Sequence, residues 1–442
     1  MRDRVVQRRT SVGGQTRGTD TAEATADLHS VHRVRRCALR IFLLSFVVRV
    51  ALVIILAPYR SPIWSEVQNI PLCLVKTGVY GNPFAVPTGP TAHYMPIYPL
   101  LLAAIFRVLG TGVAGELGQY TLGIACSSLM YSAIPVFANV VGLPLRIGII
   151  AGVLGAAVPI EFLQEIRGGD TSLAAVFMIA TVALFFRAIR GDLRSARAAL
   201  IGLLVGVGTL TNPSVLAPAV GLFILVAIKN GRHVGQVFKF GAIAGVICIV
   251  VLSPWAIRNY FALGYPVLLR SNLGIELQVS NNDLAEPRFE DAPLSPAMRF
   301  YHPFGNPDEA EKVRALGEVA YNREKIGEYK QWAEDNPVRF FQLIAARFVL
   351  FWFPVTHRLP QTVGLFAISI LAFCGMVVLR PSSVEIFRLV LAIWLTYPDL
   401  YYFIQSWSRY RMPIEWTFLC CAAVFLDYLR RRFRRCQVSA TE

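Results

Sequence analysis

Pro62-Ile63-Trp64-Ser65-Glu66-Val67-Gln68-Asn69-Ile70 places one carboxylate a few residues beyond the first long apolar run. Gly78-Val79-Tyr80-Gly81-Asn82-Pro83-Phe84 follows, and then Thr88-Gly89-Pro90-Thr91-Ala92-His93-Tyr94-Met95-Pro96-Ile97-Tyr98-Pro99. Trp and Tyr settle at membrane–water interfaces. The stretch therefore reads as a loop that leaves a membrane span, carries an acid, and returns to the interface through prolines and tyrosines.

The surrounding composition supports a membrane setting. The chain has 442 residues, 55% of them hydrophobic and only 16% charged, with mean hydropathy +0.51. A soluble chain carries about 25% charged residues. Long runs almost free of charge predict an all-α polytopic membrane protein. The net charge of +15 gathers at the two ends. Arg2, Arg4, Arg8, Arg9, Arg17, Arg33, Arg35, Arg36 and Arg40 crowd the start; Arg430, Arg431, Arg432, Arg434 and Arg435 crowd the finish. Positive flanks mark cytoplasmic ends, which argues against nucleic acid as a partner and for membrane lipids. The eight cysteines are scattered and show no metal spacing, and only Cys73 falls in an expected external loop, so no structural disulfide is expected.

Candidate spans fall near 39–57, 119–139, 145–162, 171–188, 198–211, 214–228, 238–254, 361–379, 387–405 and 413–429, giving about ten, with ten to twelve as the range. Basic loops at Arg187–Arg197, Lys229–Lys239 and Arg380–Arg388 then share the cytoplasmic side. Residues 97–109 and 340–357 are short or carry a mid-run arginine, and are expected to lie along the membrane surface. The resulting organisation is a disordered basic cytoplasmic tail (1–36), a transmembrane module (37–254) with the external loop 58–118, an external segment (255–358), C-terminal transmembrane helices (359–430) and a second basic tail (431–442).

The candidates for chemistry lie mostly on the expected outer face. Glu66 could be an ordinary exposed carboxylate, a general base for an acceptor hydroxyl, or a cation ligand. Glu161, Glu165 and Asp170 form a second acidic set; if helical, Glu161 and Glu165 share a face. Their ordinary reading is a solvated helix end, and the functional one a second wall of the same pocket. Asp170 could also cap the next span. Arg49, deep in the first span, faces protein or a cavity, and a pairing between helices is at least as good a reading as function. Arg258 and Asn259, after Pro254-Trp255, and Arg270 could be headgroup anchors or could bind a lipid phosphate, since guanidinium matches phosphate in bidentate fashion. Arg409, Tyr410 and Arg411 oppose the positive-inside pattern, and a phosphate-bearing lipid would explain why. His93, Tyr94 and Tyr98 lie on the returning loop, where substrate would bind. No pair among His93, His302 and His357 has metal spacing, so packing or hydrogen bonding is expected of each.

In this order, the pieces resemble bacterial members of the GT-C superfamily, the dolichyl-phosphate-mannose protein mannosyltransferase and aminoarabinose-transferase-like families. The resemblance runs from about residue 39 to 430. It is carried by Glu66; Gly89-Pro90-Thr91-Ala92 with Pro96–Ala103; Pro254-Trp255 with Arg258-Asn259; His302-Pro303; Gly317-Glu318 with Tyr321; Asn336-Pro337; and Arg409-Tyr410-Arg411 with Pro413. It implies a GT-C-like bundle and inverting transfer from a polyprenyl-phosphate sugar donor to a glycan, lipid or protein acceptor at the outer face of the cytoplasmic membrane. Glu66 inherits the role of the first-loop acid, the expected general base; Asp170, with Glu165 as the alternative, inherits that of the second-loop acid. Many relatives have an Asp-Glu pair where this chain has Ser65-Glu66, which leaves a divalent cation, magnesium or manganese, as an option only.

Two rivals share these features: a polymerase or ligase using pyrophosphate-linked glycans, and a transporter or flippase. The transferase reading expects Glu66, Arg409 and Arg411 to converge on one extracytoplasmic cavity open to the bilayer, and fails should they lie tens of ångströms apart or across the lipid from each other.

Overall fold

The computed structural model describes residues 16–60, 65–289 and 295–439, and side chains from Val31 to Gln437 within them. The tract Pro62–Trp64, the first fifteen residues and the last three lie outside the described residues. The elements in chain order are α1 (Thr16–Leu56), α2 (Glu66–Thr77), α3 (Ile97–Leu109), α4 (Val113–Val140), α5 (Leu145–Ala157), α6 (Phe162–Arg167), α7 (Gly169–Ile189), α8 (Ser195–Thr211) and α9 (Leu216–Lys229). They continue as α10 (Val234–Leu263), α11 (Leu273–Ser280), α12 (Pro296–Tyr301), α13 (Pro307–Leu316), α14 (Glu318–Asp335), α15 (Pro337–Trp352), α16 (Leu359–Ser382), α17 (Val384–Thr396) and α18 (Met412–Ser439). No strand occurs among the described residues beyond two isolated bridges.

Each of the ten expected spans contains a helix, and α3 and α15 are helices at the two stretches expected to lie along the surface. Six helical segments among the described residues are long and apolar enough to cross a bilayer. They lie in α1, α4, α7, α10, α16 and α18. The helices at 145–162 and 387–405 are shorter than predicted, 13 residues each, while those at 198–211 and 214–228 have 17 and 14 residues, close to the predicted lengths but still short for a span. At 1.5 Å per residue a 13-residue helix reaches about 20 Å, well under the ~30 Å hydrocarbon core. Hydropathy alone counts such segments because it registers apolar content and not helical length. The tail also differs: α1 starts at Thr16, where residues up to 36 were expected to be disordered. Alanines and charged residues there have good helix propensity and extend a helix already nucleated by the span.

The core lies around α18, which packs against α16, α7 and α5. Trp416, Phe418, Phe137 and Trp394 are buried there, with Trp394 stacked on Phe418 at 4.6 Å and Phe137 edge-on to Trp416 at 4.8 Å. Small residues allow the close crossings. A Cβ on Gly375 would collide with the Cys421 carbonyl, and one on Gly123 with the Glu165 carbonyl. Arg49 is fully buried between α1 and α6. Its Nε and Nη2 donate to the two Glu165 oxygens at 2.7 and 2.8 Å, and Nη1 donates to Ser45 Oγ at 2.9 Å and to the Ala156 carbonyl at 3.0 Å. Tyr131 adds a hydrogen bond to Glu165 Oε1 at 2.7 Å. This is a paired and hydrogen-bonded interior charge, the form in which such groups persist.

One end of the bundle carries α2, α3, the loop between them, and α11–α14. Phe84, Ile275, Val279, Val313 and Tyr321 form a small separate core there. The basic residues Arg190 and Arg194 follow the other end of α7, away from Asp170 at its start.

Candidate functional site

The loop around Glu66 is held by a dense set of hydrogen bonds. Helix α2 opens at Glu66, where the helix dipole favours an anion, and Ser65 N–H donates to Gln68 Oε1 at 3.0 Å. Gly78 ends it with a left-handed turn, φ 76°, a conformation that glycine adopts without a Cβ penalty. Glu318, first in α14, then clamps the returning loop. It accepts from Ala92 N–H at 2.8 Å and from the Thr91 and Ser271 hydroxyls. Arg258 donates to the Thr91 and Tyr80 carbonyls, both at 2.7 Å, and Asn259 donates to the Val267 carbonyl at 2.8 Å. Arg258 and Asn259, expected to hold substrate, instead spend their donors on the loop backbone. Buried backbone carbonyls require such partners.

This clamp sets Glu66 against two imidazoles. His93 Nε2 lies 3.3 Å and His302 Nε2 3.4 Å from Glu66 Oε1. Burial pushes the Glu66 carboxyl up, but His93 and His302 outweigh it and hold it down at about 2. Burial lowers His93, and the facing carboxylate more than reverses this; for His302 burial prevails and the imidazole is lowered. The three residues offer ligand atoms within 4.8 Å of one another. Sequence spacing did not reveal this set, because 27 residues separate Glu66 from His93 and a further 209 separate His93 from His302. The fold thus brings two histidines and Glu66 together where sequence spacing offered no pair. One contact opposes metal binding. His302 Nδ1 accepts from Phe304 N–H at 3.1 Å, whereas a metal-bound imidazole normally donates from its second nitrogen.

On the far side of Tyr94 lies a cavity of about 700 Å³. Its polar wall holds Asp170, Arg270, Asn272, Glu276, Arg409 and Tyr410; its apolar wall holds Leu216, Ala217, Val220 and Leu400. Asp170 is at the start of α7 and accepts from Asn212 Nδ2 at 3.0 Å. Tyr98 accepts from Gly169 N–H at 3.2 Å, tying α3 to the same helix end. The Arg270 guanidinium lies 4.1 Å above the Tyr94 ring, and that of Arg409 3.8 Å above Trp407, both within cation–π range.

The expected convergence is thus divided. Asp170, Tyr94, Arg270, Arg409 and Tyr410 line the cavity, and Tyr98 supports its floor. Glu66 and His93 are not among its lining residues: His93 packs 5.4 Å from Tyr94, ring to ring, and Glu66 lies beyond it. Arg411 points elsewhere, into Glu415 at 2.6 Å, Ser369 Oγ at 2.6 Å and the Trp352 carbonyl. On a tight turn, side chains two residues apart diverge, so the Arg-Tyr-Arg pattern could not deliver both guanidiniums to one place. Glu165 belongs to Arg49 for the reason already given. Glu318, Asn212, Asn272 and Glu276 were not singled out for a role; polar residues in and beside the first turns of helices look alike until the fold groups them.

No family model matches this sequence, and no curated protein matches it. Among solved structures, the fold is similar to that of the archaeal oligosaccharyltransferase AglB from Archaeoglobus fulgidus, determined in complex with an inhibitory peptide and a dolichol-phosphate. The TM-score is 0.53 at 14% sequence identity; the match covers 91% of this chain and 52% of AglB, so this chain spans about half that protein's length. The architecture is therefore an all-α bundle similar in fold to AglB, with six helical segments among the described residues long and apolar enough to cross a membrane.

Proposed function

We propose that the protein is an integral-membrane glycosyltransferase that takes a sugar from a polyprenyl-phosphate donor. The carrying observation is the 700 Å³ cavity, which joins an apolar wall suited to a prenyl chain to two guanidiniums, Arg270 and Arg409, and to carboxylates that include the half-buried Asp170. AglB, whose fold is similar, was determined with a dolichol-phosphate.

In this reading Arg270 and Arg409 hold the lipid phosphate, as guanidinium groups pair with phosphate oxygens. The acceptor hydroxyl oxygen attacks the anomeric carbon on the face opposite the phosphate, and the bond from that carbon to the phosphate oxygen breaks. Polyprenyl phosphate leaves with the bonding pair, its charge balanced by the two arginines, and configuration inverts. The acceptor proton passes to a carboxylate. We assign that role to Asp170 in place of Glu66: Asp170 lines the cavity, whereas Glu66 is turned toward two imidazoles behind Tyr94. Glu66 and His93 fit a divalent cation as donors, and His302 fits once its contact with Phe304 gives way. Two imidazoles favour a zinc-class ion over the expected magnesium or manganese. A bound ion would add positive charge on that side of Tyr94.

The test is sugar transfer by purified protein from a radiolabelled polyprenyl-monophosphate sugar, with a pyrophosphate-linked oligosaccharide offered in parallel. Transfer from the monophosphate that falls in Arg409→Ala and is lost in Asp170→Asn supports the reading. Transfer only from the pyrophosphate donor, or lipid movement between leaflets with no covalent change, overturns it.

A further inference from the structure

A second cavity backs onto the first. It is a notch of about 160 Å³ whose walls include Glu161, Gln164, His357, Gln361 and Ser408. One side is built by pairing of distant segments: Ser406 N–H donates to the Pro287 carbonyl at 2.8 Å, and Phe289 N–H donates to the Ser406 carbonyl at 2.9 Å. The notch opens, through shared residues Glu161, Gln164, His357 and Gln361, into a groove of about 660 Å³. That groove is apolar, bounded by Leu52, Leu56, Val158, Phe162 and Leu163. Its outer wall is the end of α1, a helix largely exposed along its apolar length, and Leu56 is 54% exposed.

Glu161 stands where notch and groove meet. It is 93% buried by residue (7% exposed), and neither carboxylate oxygen meets a donor in hydrogen-bond geometry among the described residues. Burial raises its carboxyl to about 7, with Ser408 and Gln361 near enough to restrain the rise. A buried acceptor without a protein partner is costly, and a ligand that donates would relieve it. The charge decides which ligand. The first cavity faces its occupant with Arg270 and Arg409; the notch presents the Glu161 carboxyl, which accepts from hydroxyl and, when ionised, repels phosphate, while Arg288 on the notch wall is engaged in a contact of its own. The partition is one turn: Trp407 and Ser408 face the notch, while Arg409, stacked on Trp407, faces the first cavity.

We propose that notch and groove bind a second amphiphile, an alkyl or prenyl chain with an uncharged, hydroxyl-bearing head such as a glycolipid, the hydroxyl donating to Glu161. Resting on the transferase reading above, this site is the acceptor's, and the acceptor is carried on a lipid. The chain lies along α1, Val158 and Phe162, and the head enters the notch beside the turn that holds the donor phosphate.

The experiment uses the full chain in nanodiscs with two photoreactive probes that share a diazirine-bearing decyl chain, one headed by glucose and one by phosphate. The expected result is glucoside labelling of peptides containing Leu52–Leu56 and Val158–Leu163, at least fivefold lower in Glu161→Leu and in Leu56→Trp. The phosphate probe labels Leu216–Val220 in wild type and in both variants, which shows that they are folded. Equal groove labelling by both probes, or glucoside labelling that neither substitution lowers, overturns the proposal. Glucoside labelling that persists while the phosphate probe ignores the first cavity keeps the amphiphile site, removes the donor reading, and with it the acceptor role.

Discussion

Arg409 and Arg411 are two residues apart on one turn, yet their settings are opposite. Arg411 is buried, with Glu415, Ser369 and the Trp352 carbonyl as fixed partners. Arg409 rests on an aromatic ring at the wall of an open cavity. The acids repeat the contrast. Glu165 is enclosed by Arg49 and Tyr131, whereas Asp170, five residues on, has Asn212 as its side-chain donor and faces the cavity. A charge whose partners are all supplied by the fold stabilises the fold; a charge with capacity left over is free for substrate.

Each substitution below tests one side of that contrast. Asp170→Asn should reduce transfer by about 10²–10⁴-fold while leaving the melting profile close to wild type; a variant that still transfers normally would return the base to Glu66. Glu165→Gln should do the reverse. It strands a buried Arg49, at a cost of about 3–5 kcal/mol, and is read as lost folded protein in detergent with little effect on turnover per folded molecule. Arg409→Lys should raise the donor KM by roughly tenfold, since lysine lacks the two-pronged match to phosphate. Arg411→Lys should spare KM and lower stability by roughly 1–3 kcal/mol; equal KM effects would mean that both arginines reach substrate. The smallest effect concerns the histidine set. Elemental analysis should find roughly one zinc-class ion per chain, as for a single zinc site, and less in His93→Ala. A metal-free wild type would leave Glu66, His93 and His302 as a hydrogen-bonded cluster that braces Tyr94.

Much was legible in order along the chain. The absence of charge over long runs dictated a helical membrane protein, because a backbone in hydrocarbon must satisfy its own hydrogen bonds. The same runs located a helix at every expected span, and α3 was recognised as too short to cross. The aromatic and proline pattern of the returning loop also pointed to the end of the bundle that carries both cavities.

Which residues meet was a matter for tertiary structure. Glu66, His93 and His302 come from α2, the following loop and the end of α12, and only the clamp of Glu318 on Thr91 and Ala92 helps bring the first two into register. Arg258 and Arg411 looked like substrate ligands in the sequence, but folding turned them toward carbonyls and a carboxylate. The physical reason is range. Hydropathy and helix propensity act on neighbours along the chain and can be summed from the sequence. Whether a charge is already paired depends on groups hundreds of residues away, and that is decided by packing.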